Sequence, residues 1–370
     1  MKHKKLRIAQ VSPLWYRVPP KGYGGTELIV SRITEELIKR GHEVTLFASG
    51  DSKTRGKLVS VVESNLFELG VPWLYGTQNI VNLMDAYSYY RKFDIIHTHI
   101  DVHDVVVRHY NLQTPSVATL HNPFWPNPND IKKGKRWHTF NGRVMLYDRS
   151  PRLPYVAISN SYRKLCPAKI NFAAVIHHGI DIKKFSFNPT GSDKFVWLGR
   201  ISPAKGVHIV AKMANKLGLK LLIAGKIVNP EAENFFKTDI RPHLNRRVKF
   251  IGEIKSDKEK SQFFGDAKAF LYPLQWQEPF GITMIESQAC GTPVIALKKG
   301  SVPEIVKHKK TGFVVDTLDE FKESIKNIDI IDRRSCRQWA EDKFTIKNMV
   351  DKYEAVYYDL IKRWPQIIKN

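Results

Sequence analysis

Short apolar strands and helices alternate from the start of this chain, and that alternation narrows the fold more than any other property. Leu6 to Val11 is an apolar run, followed by a loop holding Pro13, Pro19, Pro20, Gly22, Gly24 and Gly25. A helix is predicted from Thr26 to Arg40, then a Gly41-His42 turn and a strand from Glu43 to Ala48. Strand, helix, strand in that order makes parallel pairing the default, because parallel neighbours need a long crossover. Further strands are predicted at Phe93 to His97, Ser116 to Leu120 and Tyr155 to Ser159. Past the polar stretch Phe187 to Asp193 a second series opens at Phe195 to Leu198. It continues through Lys220 to Ala224, Val248 to Ile251, Phe270 to Pro273 and Thr292 to Ala296. A chain of 370 residues exceeds one ordinary core. The expectation is an α/β protein of two doubly wound parallel-sheet domains, residues 1–187 and 188–349. In the last segment Met349, Tyr353, Val356, Tyr357 and Leu360 recur at helical intervals, a packing stripe.

In open parallel sheets ligands collect at the carboxyl ends of the strands. Those ends carry distinctive residues here. Gly24-Gly25 before the first helix lets backbone approach a phosphate. A dinucleotide fold would place its glycines at the immediate end of the strand, whereas these lie well beyond it, so NAD(P) is disfavoured. His97-Thr98-His99-Ile100-Asp101 and His121-Asn122 close two strands. A metal held by His97, His99 and His103 is disfavoured, since no carboxylate partner is fixed by spacing. Taken alone, a histidine at a strand end is more often structural. In the second series, Arg200 and Lys205 stand in the loop Gly199 to Gly206, Gly225-Lys226 closes another strand, and Gly252-Glu253-Ile254 a third. A guanidinium fork and a mobile ammonium together suit a diphosphate.

The densest signal is Gln277 to Ala296. Pro279 and Gly281 hold its start out of helix, Ile282 to Cys290 reads as a short helix, and Gly291 sits where a left-handed cap belongs. A helix opening after a loop presents free amides, here Phe280, Gly281, Ile282 and Thr283, and the positive end of its dipole. Glu278 stands before it and Glu286 one turn beyond Ile282. Ionised carboxylates only accept hydrogen bonds, so each suits a diol, one on a sugar and one on a ribose. The ligand implied is a nucleoside-diphosphate sugar.

Composition excludes some alternatives. No apolar run approaches the roughly 18 residues of a membrane-spanning helix, and the basic start Met1 to Arg7 is followed by an apolar segment ending at Gln10 and Ser12, so no export signal is read. Cys166, Cys290 and Cys336 are widely spaced and suggest neither disulfides nor zinc, which points to a reducing cytoplasm. The net charge of +23 is the outlier. Its local runs, Lys2 to Arg7, Lys132 to Arg136 and Arg246 to Lys249, lack nucleic-acid motif structure. A solvated face is favoured, then peripheral association with anionic membrane at its inner face, with nucleic acid last.

The stretch from Glu278 to Glu286 resembles the E-x7-E signature of retaining glycosyltransferases with the GT-B fold. Gly300 to Glu304, Thr311 to Val315, the G-R-x-x-x-x-K-G of Gly199 to Gly206 and the opening Pro19 to Glu27 extend the resemblance to family 4, along almost the whole chain. His177 to Asp181 resembles the N-G-I-D-type junction between the family's domains, with a mild departure at its first position. The resemblance implies two Rossmann-like domains facing a central cleft, acceptor on the first and donor on the second, with the last helix, about 350–370, crossing back onto the first. It implies Arg200 and Lys205 neutralising the leaving diphosphate, Glu278 gripping sugar hydroxyls, and His121 lining the sugar pocket. His99, Asp101, Asn122 and Trp125 are acceptor candidates. The activity implied is hexosyl transfer with retained anomeric configuration, UDP-glucose being the best guess for the donor. With no D-x-D triplet and no cofactor expected, the reaction should need no metal. Rival readings are a GT-B epimerase or phosphorylase, a glycosidase using Glu278 and Glu286, and a non-enzymatic binder of nucleic acid or anionic membrane.

Overall fold

The computed structural model describes residues 4–72, 75–124 and 142–369. Trp125, among the sequence candidates, lies outside them. The chain divides into two compact units, one of residues up to 179 together with 346 onward, the other spanning 180–345. The division falls inside the His177 to Asp181 segment, a few residues before the boundary expected at 187.

The first unit holds a parallel sheet of β1 (Arg7–Val11), β2 (Glu43–Phe47), β3 (Lys57–Val59), β4 (Ile95–Thr98), β5 (Ser116–Leu120), β6 (Pro154–Ala157) and β7 (Asn171–Val175). Their order is β3-β2-β1-β4-β5-β6-β7. The order reverses at β1, the point where an open sheet leaves a crevice at its carboxyl edge. β4 and β5 are buried at every position, as parallel strands covered on both faces must be. The strand β3 is a short edge strand that the sequence reading did not include.

The second unit repeats the plan with β8 (Lys194–Leu198), β9 (Lys220–Ala224), β10 (Val248–Phe250), β11 (Ala269–Tyr272), β12 (Val294–Leu297) and β13 (Gly312–Val315). The order is β10-β9-β8-β11-β12-β13, again all parallel. Both units are therefore Rossmann-like.

The final helix, Ile346–Ile367, belongs to the first unit and buries Met349, Val350, Tyr353, Tyr357, Leu360 and Trp364. Its polar flank is tied down as well. Arg40 pairs with Asp351 at 2.8 Å and with Glu354, His42 Nε2 meets Glu354 at 2.7 Å, and Trp364 donates to the Leu112 carbonyl at 2.8 Å. Among the described residues, no helix is long and apolar enough to cross a membrane.

Candidate functional site

In the second unit the sheet's carboxyl edge gathers the loops after β8, β9, β10 and β11. After β8 the chain runs through Gly199 and Arg200 to a tight turn at Pro203–Lys205, then into the helix Val207–Leu217. Gly206 joins the two with φ 74°, and a Cβ there would lie 2.1 Å from the Pro273 carbonyl oxygen. Only glycine allows that approach and that backbone region together. The turn holds the Lys205 backbone, whose carbonyl accepts from Trp197 Nε1 at 3.2 Å. Lys205 Nζ then reaches Glu278 Oε2 at 2.5 Å and the Tyr272 hydroxyl at 3.1 Å, and sits 4.9 Å above the Trp276 ring.

Glu278 is 6% exposed and its Oε2 also accepts from Trp276 Nε1 at 2.9 Å. Its loop is clamped by Ser301 N donating to the Glu278 carbonyl at 2.9 Å, by Gly300 N donating to Gln277 Oε1 at 2.6 Å, and by Ser301 Oγ donating to the Phe280 carbonyl at 2.6 Å. Gly281 opens the helix Ile282–Ala289 with φ 87°, and the amides of Ile282 and Thr283 fall in its first turn, where no intrahelical acceptor exists. The helix ends in a Schellman motif: Gly291, at φ 85°, donates to Gln288 at 2.9 Å and Thr292 donates to Ser287 at 3.0 Å. That stop turns the chain straight into β12.

Burial drives the Lys205 ammonium below its ordinary pKa, Glu278 opposes that shift, and the nearby Arg200 charge adds to it. The same Arg200 charge bears on the Tyr272 hydroxyl. Arg200, Lys205, Glu278 and Tyr272 thus form one electrostatic group. Arg200 is half-buried and makes no ion pair among the described residues. The carboxylate of Glu286 is 1% exposed and is held by Lys260 Nζ at 3.0 Å, a partner on the helix Asp257–Gly265. Glu278 and Glu286 therefore each carry their own lysine. At the neighbouring strand ends, Gly225 N donates to Gly252 at 2.8 Å, and Ile201 N donates to the Lys226 carbonyl at 3.0 Å. These bonds set Gly225 and Lys226 against the β8 loop and lead through Gly252 towards Ile254.

In the first unit Gly24, at φ 151°, precedes the helix Gly25–Lys39 and packs against Pro20. Beside it the Glu27 side chain is 4% exposed, and burial pushes its carboxyl up to about 8, against hydrogen bonds from its own amide and that of Tyr16. His121, at the end of β5, is half-buried, and its Nε2 lies 3.0 Å from His99 Nδ1. Its ring stacks on His178 with centroids 5.3 Å apart. Burial lowers His121 to about 3 and holds His97, His99 and His178 well below the ordinary imidazole range. All are neutral near pH 7.

Among the described acceptor candidates, Asp101 and Asn122 share a partner, Arg143 Nη2, which lies 3.4 Å from the Asn122 carbonyl. His99 is interior and hydrogen-bonded to Gln10 and His121. Both Asp101 oxygens are gripped by Arg143 Nη2 at 2.7 Å, with the Tyr147 hydroxyl at 3.3 Å. The Asn122 carbonyl accepts from the Tyr162 hydroxyl at 2.7 Å. Asp101 is thereby held in an ion pair with Arg143, which its place at the strand end did not signal. Among the described residues no group of three His, Cys, Asp or Glu is arranged to hold a metal ion. Sequence reasoning missed Tyr272, Trp276, Lys260, Gln10 and Arg143. Trp276 stands one residue before the motif, so proximity alone could have flagged it; Lys260 and Gln10 carry no local signal.

Two family models together match residues 23–343: Glycosyltransferase Family 4 over residues 23–184 and Glycosyl transferases group 1 over residues 180–343. A 41.2 kDa protein in the cps region of Klebsiella pneumoniae is 24% identical over 370 aligned residues, covering 90% of this chain and 96% of that protein. N-acetyl-alpha-D-glucosaminyl L-malate synthase of Bacillus anthracis is 26% identical over 164 residues, 42% of each chain, so this chain spans less than half of that relative. Among solved structures, Anabaena Alr3699/HepE in complex with UDP-glucose superposes with a TM-score of 0.71 at 19% identity, covering 96% of this chain and all of that one. At that identity the likeness speaks to the fold, which is GT-B.

Proposed function

From the chain's membership of the group 1 and family 4 glycosyltransferases, enzymes acting on nucleotide sugars, we propose that it moves a hexose from a UDP-sugar, UDP-glucose first among them, to an acceptor hydroxyl with retained anomeric configuration. The observation that carries this reading is the cation and carboxylate group built at a helix start, with Lys205 on Glu278 and Arg200 beside them. The donor's diphosphate lies over the first turn of Ile282–Ala289, where amides and dipole favour an anion. Arg200 supplies the positive charge that grows in importance as UDP departs. Lys205, partly neutralised by Glu278, bridges carboxylate and phosphate. Glu278 accepts from sugar hydroxyls and is no nucleophile. The C1–O bond to UDP breaks, the acceptor oxygen bonds to the same face of C1, and its proton passes to a diphosphate oxygen. The neighbour solved with UDP-glucose supports that donor class as the first to try.

These residues supply the leaving-group stabilisation without a divalent ion, so transfer persists in chelator; loss in EDTA with recovery in magnesium contradicts that part. The test of the whole is turnover of a panel of sugar nucleotides with and without candidate acceptor glycans. UDP-glucose consumption that rises with an acceptor and yields an α-linked product is expected. Consumption of free sugar phosphate, or interconversion of one UDP-sugar into another, assigns the chain to the phosphorylase or epimerase reading instead.

A further inference from the structure

A continuous hydrogen-bonded chain crosses the interior of the first unit from the final helix to His121, and it is built of side chains on one face of the sheet. Gln10 of β1 lies opposite His97 of β4 in register, and His97 opposite Val117 of β5. Over this face stand Tyr353 and Tyr357 of the helix Ile346–Ile367. Gln10, His97, Tyr353 and Tyr357 are wholly buried, and His99 and Thr119 nearly so.

The Gln10 amide fixes the direction of the bonds that lead to His121. Gln10 Nε2 lies 3.0 Å from the Tyr357 hydroxyl, and that hydroxyl 2.6 Å from His97 Nδ1. An amide nitrogen can only donate, so Tyr357 accepts from Gln10; Gln10 Nε2 lies 3.4 Å from His97 Nδ1 as well, which marks that nitrogen as the acceptor of the Tyr357 proton. His97 then carries its proton on Nε2 and donates it to Thr119 Oγ1 at 2.8 Å, with the Tyr353 hydroxyl 3.0 Å beyond. On the other side Gln10 Oε1 can only accept, so His99 Nε2, 3.0 Å away, is the protonated nitrogen of that ring. His99 Nδ1 is then a bare lone pair, and the 3.0 Å contact to His121 requires that His121 donate from Nε2. Hydroxyls and neutral imidazoles can run a chain in either direction. The amide cannot without turning over, so Gln10 alone sets the polarity.

We infer that Gln10 is a positioning residue for His121: acting through His99, it fixes the Nε2–H tautomer and leaves His121 Nδ1 as an acceptor for a sugar hydroxyl. The sugar part rests on the proposed function; the tautomer part does not. Among the described residues no hydrogen bond is made to His121 Nδ1, and the residue is half-buried. The stacked His178 covers one face of the ring and helps hold its plane. The final helix thereby takes part in the network through Tyr357, whose hydroxyl accepts from the Gln10 amide nitrogen.

The test is the long-range nitrogen–proton NMR spectrum of the full chain labelled with 15N-histidine, the His121 signals being identified by their loss in His121→Gln. In the unmodified protein His121 is expected as the Nε2–H tautomer; an Nδ1–H pattern there overturns the inference without any variant. In Gln10→Met, which keeps side-chain length and removes donor and acceptor, His121 should show both tautomers. Transfer kcat should fall about tenfold while UDP affinity stays unchanged, as when a partner that orients a histidine is lost. An unchanged tautomer in Gln10→Met, or a mixed tautomer with unchanged kcat, overturns the positioning role. A protein that shows the expected tautomers in both forms and transfers no sugar from any sugar nucleotide overturns the donor reading and not the assignment of the chain's polarity.

Discussion

Lys205 illustrates how a charge acquires a task from its surroundings. Its ammonium is buried, which lowers its pKa, and a carboxylate at 2.5 Å partly restores it. Arg200 has no such partner among the described residues and is the more available cation for a developing phosphate charge. Arg200→Ala should therefore lower kcat by about a hundredfold and raise the donor KM by much less, in steady-state assays with varied UDP-sugar. Equal effects on both would mean that Arg200 binds ground state and transition state alike. Glu27 makes a different prediction. Its folded carboxyl sits near 8 because it is buried, against about 4.3 in an unfolded chain. Between those values the folded state holds the extra proton, so stability conferred by the protonated form is complete below about 4.3 and is lost as pH rises through 8. Glu27→Gln, which stays neutral, should flatten the fall in apparent Tm between about pH 6.5 and 8, above the range where the imidazoles act, checked by thermal melts across that range.

At the scale of elements the important devices are the turns that deliver side chains to the carboxyl edges. Gly206 stands with its α-carbon against the Pro273 carbonyl, and any side chain there meets backbone that cannot move aside. Gly206→Ala should destabilise the protein by about 1–3 kcal/mol or more in urea titration and also reduce transfer, because the same turn aims Lys205. Most strands and the helix Ile282–Ala289 were legible in the sequence, since fully buried parallel strands leave unbroken apolar runs such as Ile95-Ile96 and Val294 to Leu297. The edge strand β3 was not, because Lys57-Leu58-Val59 is too short and too exposed to show a pattern. The strand-end residues were legible by position. Their partners were not: Lys260 reaches Glu286 across 26 residues, Arg143 reaches Asp101 across 42, and Tyr357 reaches His97 across 260. Contacts of that separation depend on which helix lies over which strand, and no local spacing records it.

For the whole molecule, the neutral imidazoles buried in the first unit govern acid behaviour. His97, His99, His121 and His178 all have folded pKa values depressed by burial, His121 to about 3. An unfolded imidazole takes up its proton near 6.5, so the stability these groups contribute is complete above about 6.5 and is lost as pH falls towards the folded values. The four act in the same direction, partly offset by Glu27, whose contribution runs in the opposite one. Apparent Tm should drop steeply from pH 6.5 to 5, and His121→Gln should make the drop shallower; a flat profile would contradict the buried network. The donor assignment rests on the other unit, and calorimetric titration of UDP-glucose and UDP into the unmodified protein and into Arg200→Ala tests it most directly. Binding of both ligands to the unmodified protein is expected, weakened by added salt, with loss of the guanidinium weakening UDP, which carries the leaving charge, far more than UDP-glucose. Absence of binding, or UDP binding indifferent to Arg200 and to salt, would contradict it.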